Sequence, residues 1–228
     1  MRLIITSLFD FFLPRICASC NTKLLLNERT ICNNCLDNLE LAKEQRLNNE
    51  FERKFKNENI ISDFTSLYVF KTDSEIQNII HSFKYNQQYQ IGNFLGDQIV
   101  NHLSKTIKSW DADLIIPIPL HNLRKAERGF NQSETIAKSI GRNLAIAVNT
   151  GIIKRKRFTK TQTKLTLEER KKNISEAFSM KRKNIVKNKN IILVDDVITT
   201  GATISECGEL LLDNGAKKIH ALSAAIAD

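Results

Sequence analysis

Apolar residues along this chain fall into two alternating patterns, short continuous runs and helix-spaced stretches, which together predict an α/β fold. Each continuous run suits a buried strand, and each spaced stretch suits a helix that packs by one face. The predicted strands cover residues 64–70, 113–120, 191–194 and 219–227. The predicted helices carry their apolar positions at residues 76–83, 95–103, 136–140 and 204–211. Thr72 or Asp73 is expected to cap the first of these helices, Lys84 and Tyr85 are expected in the loop after it, and the last strand is expected to alternate. Strands that alternate with helices predict a parallel sheet with helices on both sides.

Residues 191–203, IILVDDVITTGAT, form the stretch around which the rest of the chain is organised. Four aliphatic residues lead into the adjacent carboxylates of Asp195 and Asp196, and the turn after them supplies Thr199, Thr200, Gly201, Ala202 and Thr203. Backbone N–H groups of a glycine-containing loop at a helix N-terminus bind phosphate, and carboxylates accept hydrogen bonds from ribose hydroxyls or hold a hydrated cation. The stretch predicts a sugar-phosphate site, with an ordinary strand–turn–helix as the alternative. It is not a P-loop, because the GxxxxGK[ST] spacing is absent.

A second anion site is expected where the strand at residues 113–120 ends. The loop that follows it, HNLRKAERGFNQ, holds Arg124, Lys125 and Arg128. Asn131 and Glu134 have the spacing of a capping box, so a helix is expected to begin there. A basic loop that leads into a helix N-terminus favours an anion by the same physics as the first site. The alternative is that these arginines are only solvated.

Four of the five cysteines form two CxxC pairs, Cys17 with Cys20 and Cys32 with Cys35, separated by eleven residues. Two such pairs can complete a tetrahedral four-sulfur site, and a closed site of this kind predicts structural zinc. Disulfides are disfavoured without a secretory signal, and a thioredoxin-type site needs only one CxxC. Cys207 lies on an apolar helix face and is expected in the core.

The formal net charge of +9 over 228 residues favours a polyanionic ligand or partner, with nucleic acid as the usual candidate. Charge spread over solvated helix faces is the alternative. A run of about 18 apolar residues is absent, so no transmembrane helix is expected. Residues 1–14 suit a short amphipathic helix that packs on the protein's own body, with a membrane-surface anchor as the alternative. A cytoplasmic protein is expected, with peripheral membrane association as the variant.

Three separate motifs resemble known families. Residues 191–203 resemble the phosphoribosyl pyrophosphate (PRPP) motif of type I phosphoribosyltransferases. The series PIPL, R and RGFNQ across residues 117–132 is similar to the ComF family of competence-associated proteins, which also carries an N-terminal four-cysteine module. A third spaced series agrees with that family: Arg157, Gln162, Leu165, Arg170, Asn173, Ala177 and Phe178. The resemblance to ComF proteins covers nearly the whole chain.

This resemblance implies a specific architecture. It implies a type I phosphoribosyltransferase domain, in which a parallel sheet is flanked by helices and covered by a hood, and a small N-terminal zinc-ribbon-like module. The boundaries expected from it are residues 1–45 for an N-terminal helix and the four-cysteine zinc module, 46–62 for a charged connector, and 63–228 for the phosphoribosyltransferase-like domain.

The resemblance also implies roles for residues. It implies that Asp195 and Asp196 bind the ribose hydroxyls of PRPP, that residues 199–203 bind its 5-phosphate, and that Mg²⁺ accompanies PRPP. It implies a pyrophosphate loop formed by Pro119, Leu120, Arg124 and Arg128. It implies a basic hood whose substrate or nucleic-acid contacts are Lys154, Arg155, Lys156, Arg157, Gln162 and Arg170. Purine-specific members often carry Asp where this chain has Thr199, so the acceptor and any general acid stay unassigned.

Three functional hypotheses follow, all linked by the resemblance to DNA uptake and natural transformation. In the first, the chain is a pentosyltransferase that moves ribose 5-phosphate from PRPP to an unknown acceptor. In the second, it is a non-catalytic protein that senses PRPP or grips single-stranded DNA. In the third, the cysteine module docks a competence helicase or uptake protein. The four histidines, His81, His102, His121 and His220, are expected to be structural or on the surface, and only His121 is placed to touch a ligand.

Overall fold

A parallel sheet of five strands runs through the centre of the computed structural model, which describes residues 14–156, 177–181 and 183–227. The strand order is β1-β7-β6-β2-β3, and every neighbouring pair is parallel. The strands are β1 (Asp63–Phe70), β2 (Leu114–Pro117), β3 (Ala147–Val148), β6 (Asn190–Ile198) and β7 (Lys218–Ala227). A separate antiparallel ribbon pairs β4 (Ile153–Arg155) with β5 (Phe178–Met180).

Helices cover both faces of this sheet. They are α1 (Asn33–Asp37), α2 (Glu44–Lys54), α3 (Glu75–Tyr85), α4 (Gln90–Ser109), α5 (Asn122–Arg128), α6 (Gln132–Leu144) and α7 (Ala202–Asp213), with short 3₁₀ turns at Lys56–Glu58 and Lys183–Ile185. One hydrophobic cluster joins α3, α4 and α6 to one face, and a second joins α2 and α7 to the other. The predicted parallel sheet flanked by helices is confirmed.

Several elements differ from those expected from the sequence. The strand expected over residues 113–120 ends at Pro117, and Pro119 has no N–H with which to continue the ladder. Helix α3 starts after Ser74, whose hydroxyl accepts from the Gln77 N–H at 3.4 Å, and it continues through Tyr85 instead of ending before Lys84. Strand β7 lies between β1 and β6, so its residues are buried on both faces and do not alternate.

The N-terminal segment wraps around the β1 edge of the sheet. The Ala42 N–H donates to the Leu67 carbonyl at 2.8 Å, and the Val69 N–H donates to the Glu40 carbonyl at 2.9 Å, so this segment pairs with β1. The cysteine module before it packs in the cluster with α3, whereas α2 after it packs on the opposite face. The part of the chain predicted to be a connector therefore includes a helix that is packed on the sheet; the domain boundaries stay a prediction.

The helix expected over residues 1–14 falls, apart from Pro14, outside the described residues. Among the helices at residues 14–156, 177–181 and 183–227, none is long and apolar enough to cross a membrane. Cys207 is fully buried on α7, in agreement with its predicted place in the core.

Candidate functional site

The stretch that combines two carboxylates with a glycine-containing loop lies at the carboxyl end of β6, where ligands bind in open α/β sheets. Helix α7 begins at Ala202, and Gly201 precedes it in the left-handed region at φ 82°. A Cβ atom at Gly201 would lie 2.7 Å from the Phe55 ring. Glycine is required at this position by the backbone angle and by the space, and the loop leads directly into the N-terminus of α7, where backbone N–H groups favour an anion.

Both carboxylates have partners from distant parts of the chain. The Ser133 hydroxyl donates to Asp195 Oδ1 at 2.8 Å, and Lys84 Nζ lies 2.9 Å from Asp196 Oδ2. Sequence reasoning missed both partners. It placed Lys84 in a loop, although the helical spacing of residues 76–83 extends to it, and Ser133 carries no signal beyond its place next to RGFNQ. Because β2, β6, α3 and α6 meet here, four sequence segments contribute to one site.

The electrostatics of the carboxylate pair favour a cationic ligand. Burial and the adjacent charge of Asp196 raise the pKa of Asp195 to about 7, although the hydrogen bond from Ser133 and the charge of Lys84 act in the opposite direction. Two neighbouring carboxylates resist ionising together, and a positive charge beside them relieves this repulsion. The pair can accept hydrogen bonds from a diol or hold a hydrated divalent cation.

Cationic side chains line the same cavity from the side of β2. Arg124, Arg128 and Arg155 border it together with Lys84 and the two carboxylates. The loop expected between residues 121 and 131 is mostly helix, because Arg124 and Arg128 both lie on α5. The remaining lining of this cavity consists of Ile118, Pro119, Leu120, Gln132, Ser133 and Thr203. The residues predicted to bind pyrophosphate and those predicted to bind ribose therefore face one cavity.

The ends of α5 and α6 differ in detail from the capping predicted for them. His121 is the N-cap of α5, and its Nδ1 accepts from the Leu123 N–H at 3.3 Å. Asn131 does not form the predicted capping box, since its side chain makes no cap bond and its amide donates to the Ile118 carbonyl at 2.9 Å. The Asn131 amide thereby ties the start of α6 to the chain that leaves β2, which helps to hold the cavity wall.

The residues predicted for the hood separate into three groups. Arg155 lies on β4, lines the cavity, and stands 5.4 Å from the centre of the Phe178 ring. Lys154 and Lys156 on either side of it are exposed. Arg157, Gln162 and Arg170 lie outside the described residues. Burial and the nearby charge of Arg124 lower the pKa of Arg155, so two guanidinium groups repel each other at a place that an anion would stabilise.

The four cysteines predicted to bind zinc come together in the N-terminal module, which packs against α3 and receives a hydrogen bond from the Ser82 hydroxyl at the Ala18 carbonyl (2.8 Å). Their sulfur atoms all lie within 4.8 Å of one another, and Cys20 and Cys32 are 3.7 Å apart. Four sulfurs at about 2.3 Å from a central zinc ion lie roughly 3.8 Å apart, so the donor set and its spacing fit this metal. The Cys32 N–H donates to Cys17 Sγ at 3.3 Å, a contact that suits a thiolate ligand. The cluster could hold a metal ion.

The remaining histidines agree with the prediction that they are structural or on the surface. His81 and His102 are exposed, and the His81 ring lies 4.7 Å from the Tyr85 ring. His220 is buried and stacked on Trp110 at 4.9 Å between ring centres. This stacked pair lies near the amino end of β7, whereas the cavity lies at the carboxyl ends of the strands.

Comparisons with known proteins confirm the type I phosphoribosyltransferase fold expected from the sequence. The family model described as "Phosphoribosyl transferase domain" matches residues 128–226. Competence protein F of Haemophilus influenzae is 34% identical over 146 residues, which cover 62% of this chain and 64% of that protein. DNA utilization protein YhgH of Shigella flexneri is 34% identical over 145 residues, which cover 62% of this chain and 63% of that protein.

A match of lower identity extends further along the chain. Competence protein ComFC of Bacillus subtilis is 26% identical over 204 residues, which cover 88% of this chain and 79% of that protein. For the Haemophilus and Shigella proteins, the matched region spans less than two thirds of the relative's own length.

Proposed function

We propose that this chain, which belongs to the ComF family of competence-associated proteins, binds PRPP together with Mg²⁺ in the cavity between the carboxyl ends of β2 and β6. The observation that carries the proposal is that three chemical groups lie together, two in that cavity and one in a small pocket that shares Asp195 and Thr203 with it. They are a glycine-containing loop at a helix N-terminus, an adjacent pair of carboxylates, and a set of cationic side chains. PRPP offers one matching group to each: a phosphate, a ribose diol and a pyrophosphate.

The end of β6 would hold the ribose 5-phosphate half. The loop at residues 199–203 lines a pocket that adjoins Asp195, so a phosphate in the loop and a ribose beside the carboxylates are neighbours. The N–H groups at the start of α7 favour the phosphate, and Asp195 and Asp196 accept hydrogen bonds from the ribose hydroxyls. Ser133 and Lys84 orient these two carboxylates.

The end of β2 would hold the pyrophosphate half. Arg124 and Arg155 supply donors that match phosphate oxygens, and Lys84 adds a third cationic group to the same cavity. Asp195 and Asp196 are the described residues that would hold Mg²⁺, which offsets the charge of pyrophosphate when it is bound.

The proposal extends to transfer of ribose 5-phosphate. The bond between C1 of the ribose and the pyrophosphate oxygen breaks, the acceptor bonds to C1, and pyrophosphate leaves with the electron pair. The loop and the carboxylates would position the ribose, and Arg124 and Arg155 would stabilise the leaving group. Thr199 stands at the place where purine-specific members often carry Asp, so the acceptor is left open.

Calorimetric titration with PRPP, with and without Mg²⁺, tests the binding step. The Asp195→Asn/Asp196→Asn variant should bind PRPP about a hundredfold more weakly, because hydrogen bonds to a charged group contribute about 1.5–3 kcal/mol each. Glu209→Gln is the matched control, since Glu209 is an exposed carboxylate on α7 outside the cavity. Wild-type affinity in the double variant would refute the site.

Single-stranded DNA binding is a second candidate function, favoured by aromatic rings beside the cavity. Tyr85 and Tyr89 are 63% and 62% exposed, and the Arg128 guanidinium lies 5.6 Å from the centre of the Tyr85 ring. Exposed rings next to cationic groups suit the stacking of bases in a single strand. The names of the relatives, competence and DNA utilization proteins, point the same way.

A fluorescent oligothymidine titrated at several salt concentrations tests this candidate. Binding through several phosphates should weaken steeply as salt increases, and Tyr85→Ala should lose about 1–3 kcal/mol of binding free energy. Leu123→Ala serves as the control, because Leu123 is also exposed and lacks a ring to stack. If Tyr85→Ala binds the oligonucleotide with the wild-type affinity, the exposed Tyr85 ring is not part of a DNA site.

Structural zinc in the cysteine cluster is the third part of the proposal, supported by the spacing of the four sulfurs. Metal analysis of the purified chain should find about one zinc per molecule, and Cys32→Ser should lose it; folded protein without metal would refute the assignment. Docking of a helicase or uptake protein to this module stays a prediction.

A further inference from the structure

We propose that Lys54 is a positioning residue for the loop at residues 199–203, acting through the backbone carbonyl of Thr199. This inference rests on the proposed phosphate site in that loop. It concerns helix α2, which lies in a part of the chain to which sequence reasoning assigned no functional role.

The Lys54 ammonium group is buried beneath the loop and has three partners. It donates to the Thr199 carbonyl and to the Ala227 carbonyl at 3.2 Å, and it forms an ion pair with Glu50 Oε2 at 3.1 Å. Its side chain is only 4% exposed. An ammonium group is a donor with no acceptor, so two carbonyls and a carboxylate are the partners it requires when it is buried. A buried lysine in this state holds its partners in one arrangement.

Glu50 fixes the lysine from the other side. Its side chain is 9% exposed, accepts from Arg53 at 2.7 Å and is ion-paired with Lys54. Burial by itself would raise the pKa of Glu50, and the hydrogen bonds from Arg53 and Lys54 more than reverse this effect and lower it. The ionised carboxylate therefore completes a buried pair on one face of α2, directed at the carboxyl ends of β6 and β7.

Phe55 supports the same loop one residue further along. It is 1% exposed, packs 5.5 Å from Phe64 between ring centres, and meets the loop at Gly201. The end of α2 thus borders the loop at two points, the carbonyl of Thr199 and the space beside Gly201 that a Cβ atom would need.

The geometry of the peptide bond connects these contacts to ligand binding. In a planar trans peptide, the carbonyl of one residue and the N–H of the next point in opposite directions. Because Lys54 holds the Thr199 carbonyl, the N–H of Thr200 must point away from α2. Backbone N–H groups are what such a loop offers to a phosphate. Lys54 therefore sets the direction of a phosphate donor without touching the ligand.

Two ligands that each report on one half of the cavity separate a positioning role from a merely structural one. Wild type and Lys54→Met are titrated with ribose 5-phosphate and, separately, with pyrophosphate in the presence of Mg²⁺. We expect ribose 5-phosphate to bind about tenfold more weakly to the variant while the affinity for pyrophosphate is unchanged. Lys56→Met is the matched control, because Lys56 lies close by in sequence and pairs with Glu52 on the exposed side.

Glu50→Gln is the second variant, and it decides the question if Lys54→Met does not fold. It keeps the shape of the side chain and removes the charge that holds Lys54, so the same selective loss should appear at about threefold. Equal affinity for ribose 5-phosphate in both folded variants, or an equal loss for both ligands, would overturn the inference. If the wild-type chain binds neither PRPP nor ribose 5-phosphate, the proposed function itself has failed.

Discussion

The two halves of the proposed PRPP site are built by different means. At the end of β6, the contiguous residues 199–203 present backbone N–H groups at a helix N-terminus. At the end of β2, the cationic side chains of Lys84, Arg124 and Arg155 arrive from α3, α5 and β4. One half depends on the conformation of a few neighbouring residues. The other half depends on packing that brings distant segments together.

Because of this difference, the two halves should tolerate different amino-acid substitutions. A site made of backbone groups keeps its donors when side chains change, but it fails when its dihedral angles can no longer be reached. A site made of side chains keeps its backbone but loses one partner with each substitution. Substitutions in the two halves should therefore differ in kind, and in which ligand they affect.

The largest effect is expected at the backbone half. Gly201→Ala should destabilise the fold by roughly 2–5 kcal/mol, because alanine is strained at φ 82° and its Cβ would meet the Phe55 ring at 2.7 Å. Denaturant unfolding measures this loss, and binding of ribose 5-phosphate should fall with it. Gly129→Ala is the matched control, since Gly129 has φ 80° with open space around it and should lose only about 1–2 kcal/mol. Equal losses would show that Phe55 does not constrain the loop.

Substitutions at the amino ends of the strands, away from the cavity, should change the stability of the fold but not the affinity for either ligand. Burial lowers the pKa of His220 to about 4, below the ordinary value of 6.5. The unfolded chain therefore binds this proton first, so the contribution of His220 to stability is complete above pH 6.5 and is lost as the pH falls towards 4, by about 3 kcal/mol.

Replacement of His220 by Phe tests this contribution to the pH dependence of stability, because phenylalanine keeps a ring against Trp110 and cannot take up the proton. Unfolding free energies measured from pH 7 to 4 should decline less steeply in this variant, while His102→Phe, at an exposed position, should follow the wild type. A wild-type pH dependence in His220→Phe would assign the acid sensitivity to other groups.

A smaller effect is expected at the side-chain half. Arg124→Gln should weaken pyrophosphate binding by about 2 kcal/mol, the contribution of a hydrogen bond to a charged group, and leave ribose 5-phosphate binding unchanged. Calorimetry with the two ligands checks this selectivity. Arg142→Gln provides the control, as Arg142 is exposed on α6 and contacts Asn93 outside the cavity. An equal loss for both ligands would mean that the halves are not independent.

Features that depend on neighbours in sequence were predicted well. The apolar run before Asp195, the glycine at the helix start and the two CxxC pairs each carry their information within a few residues, and the structure places all three as expected. Details that depend on competition between local and distant hydrogen-bond partners were not predicted correctly. Asn131 could cap its own helix, but its amide bonds to the Ile118 carbonyl, because that buried carbonyl lies within reach in the folded chain.

The sequence by itself determined the class of fold, the position of the glycine-containing loop at residues 199–203 and the cysteine cluster, since hydrophobic periodicity and close spacing act over short distances. The tertiary structure decided which side chains complete the site. No sequence motif marks Lys84, Ser133 or Lys54. Each of them reaches Asp195, Asp196 or Thr199 only because its helix packs at the carboxyl ends of the strands. Contacts between residues far apart in the chain arise from packing as a whole, and a local pattern does not encode them.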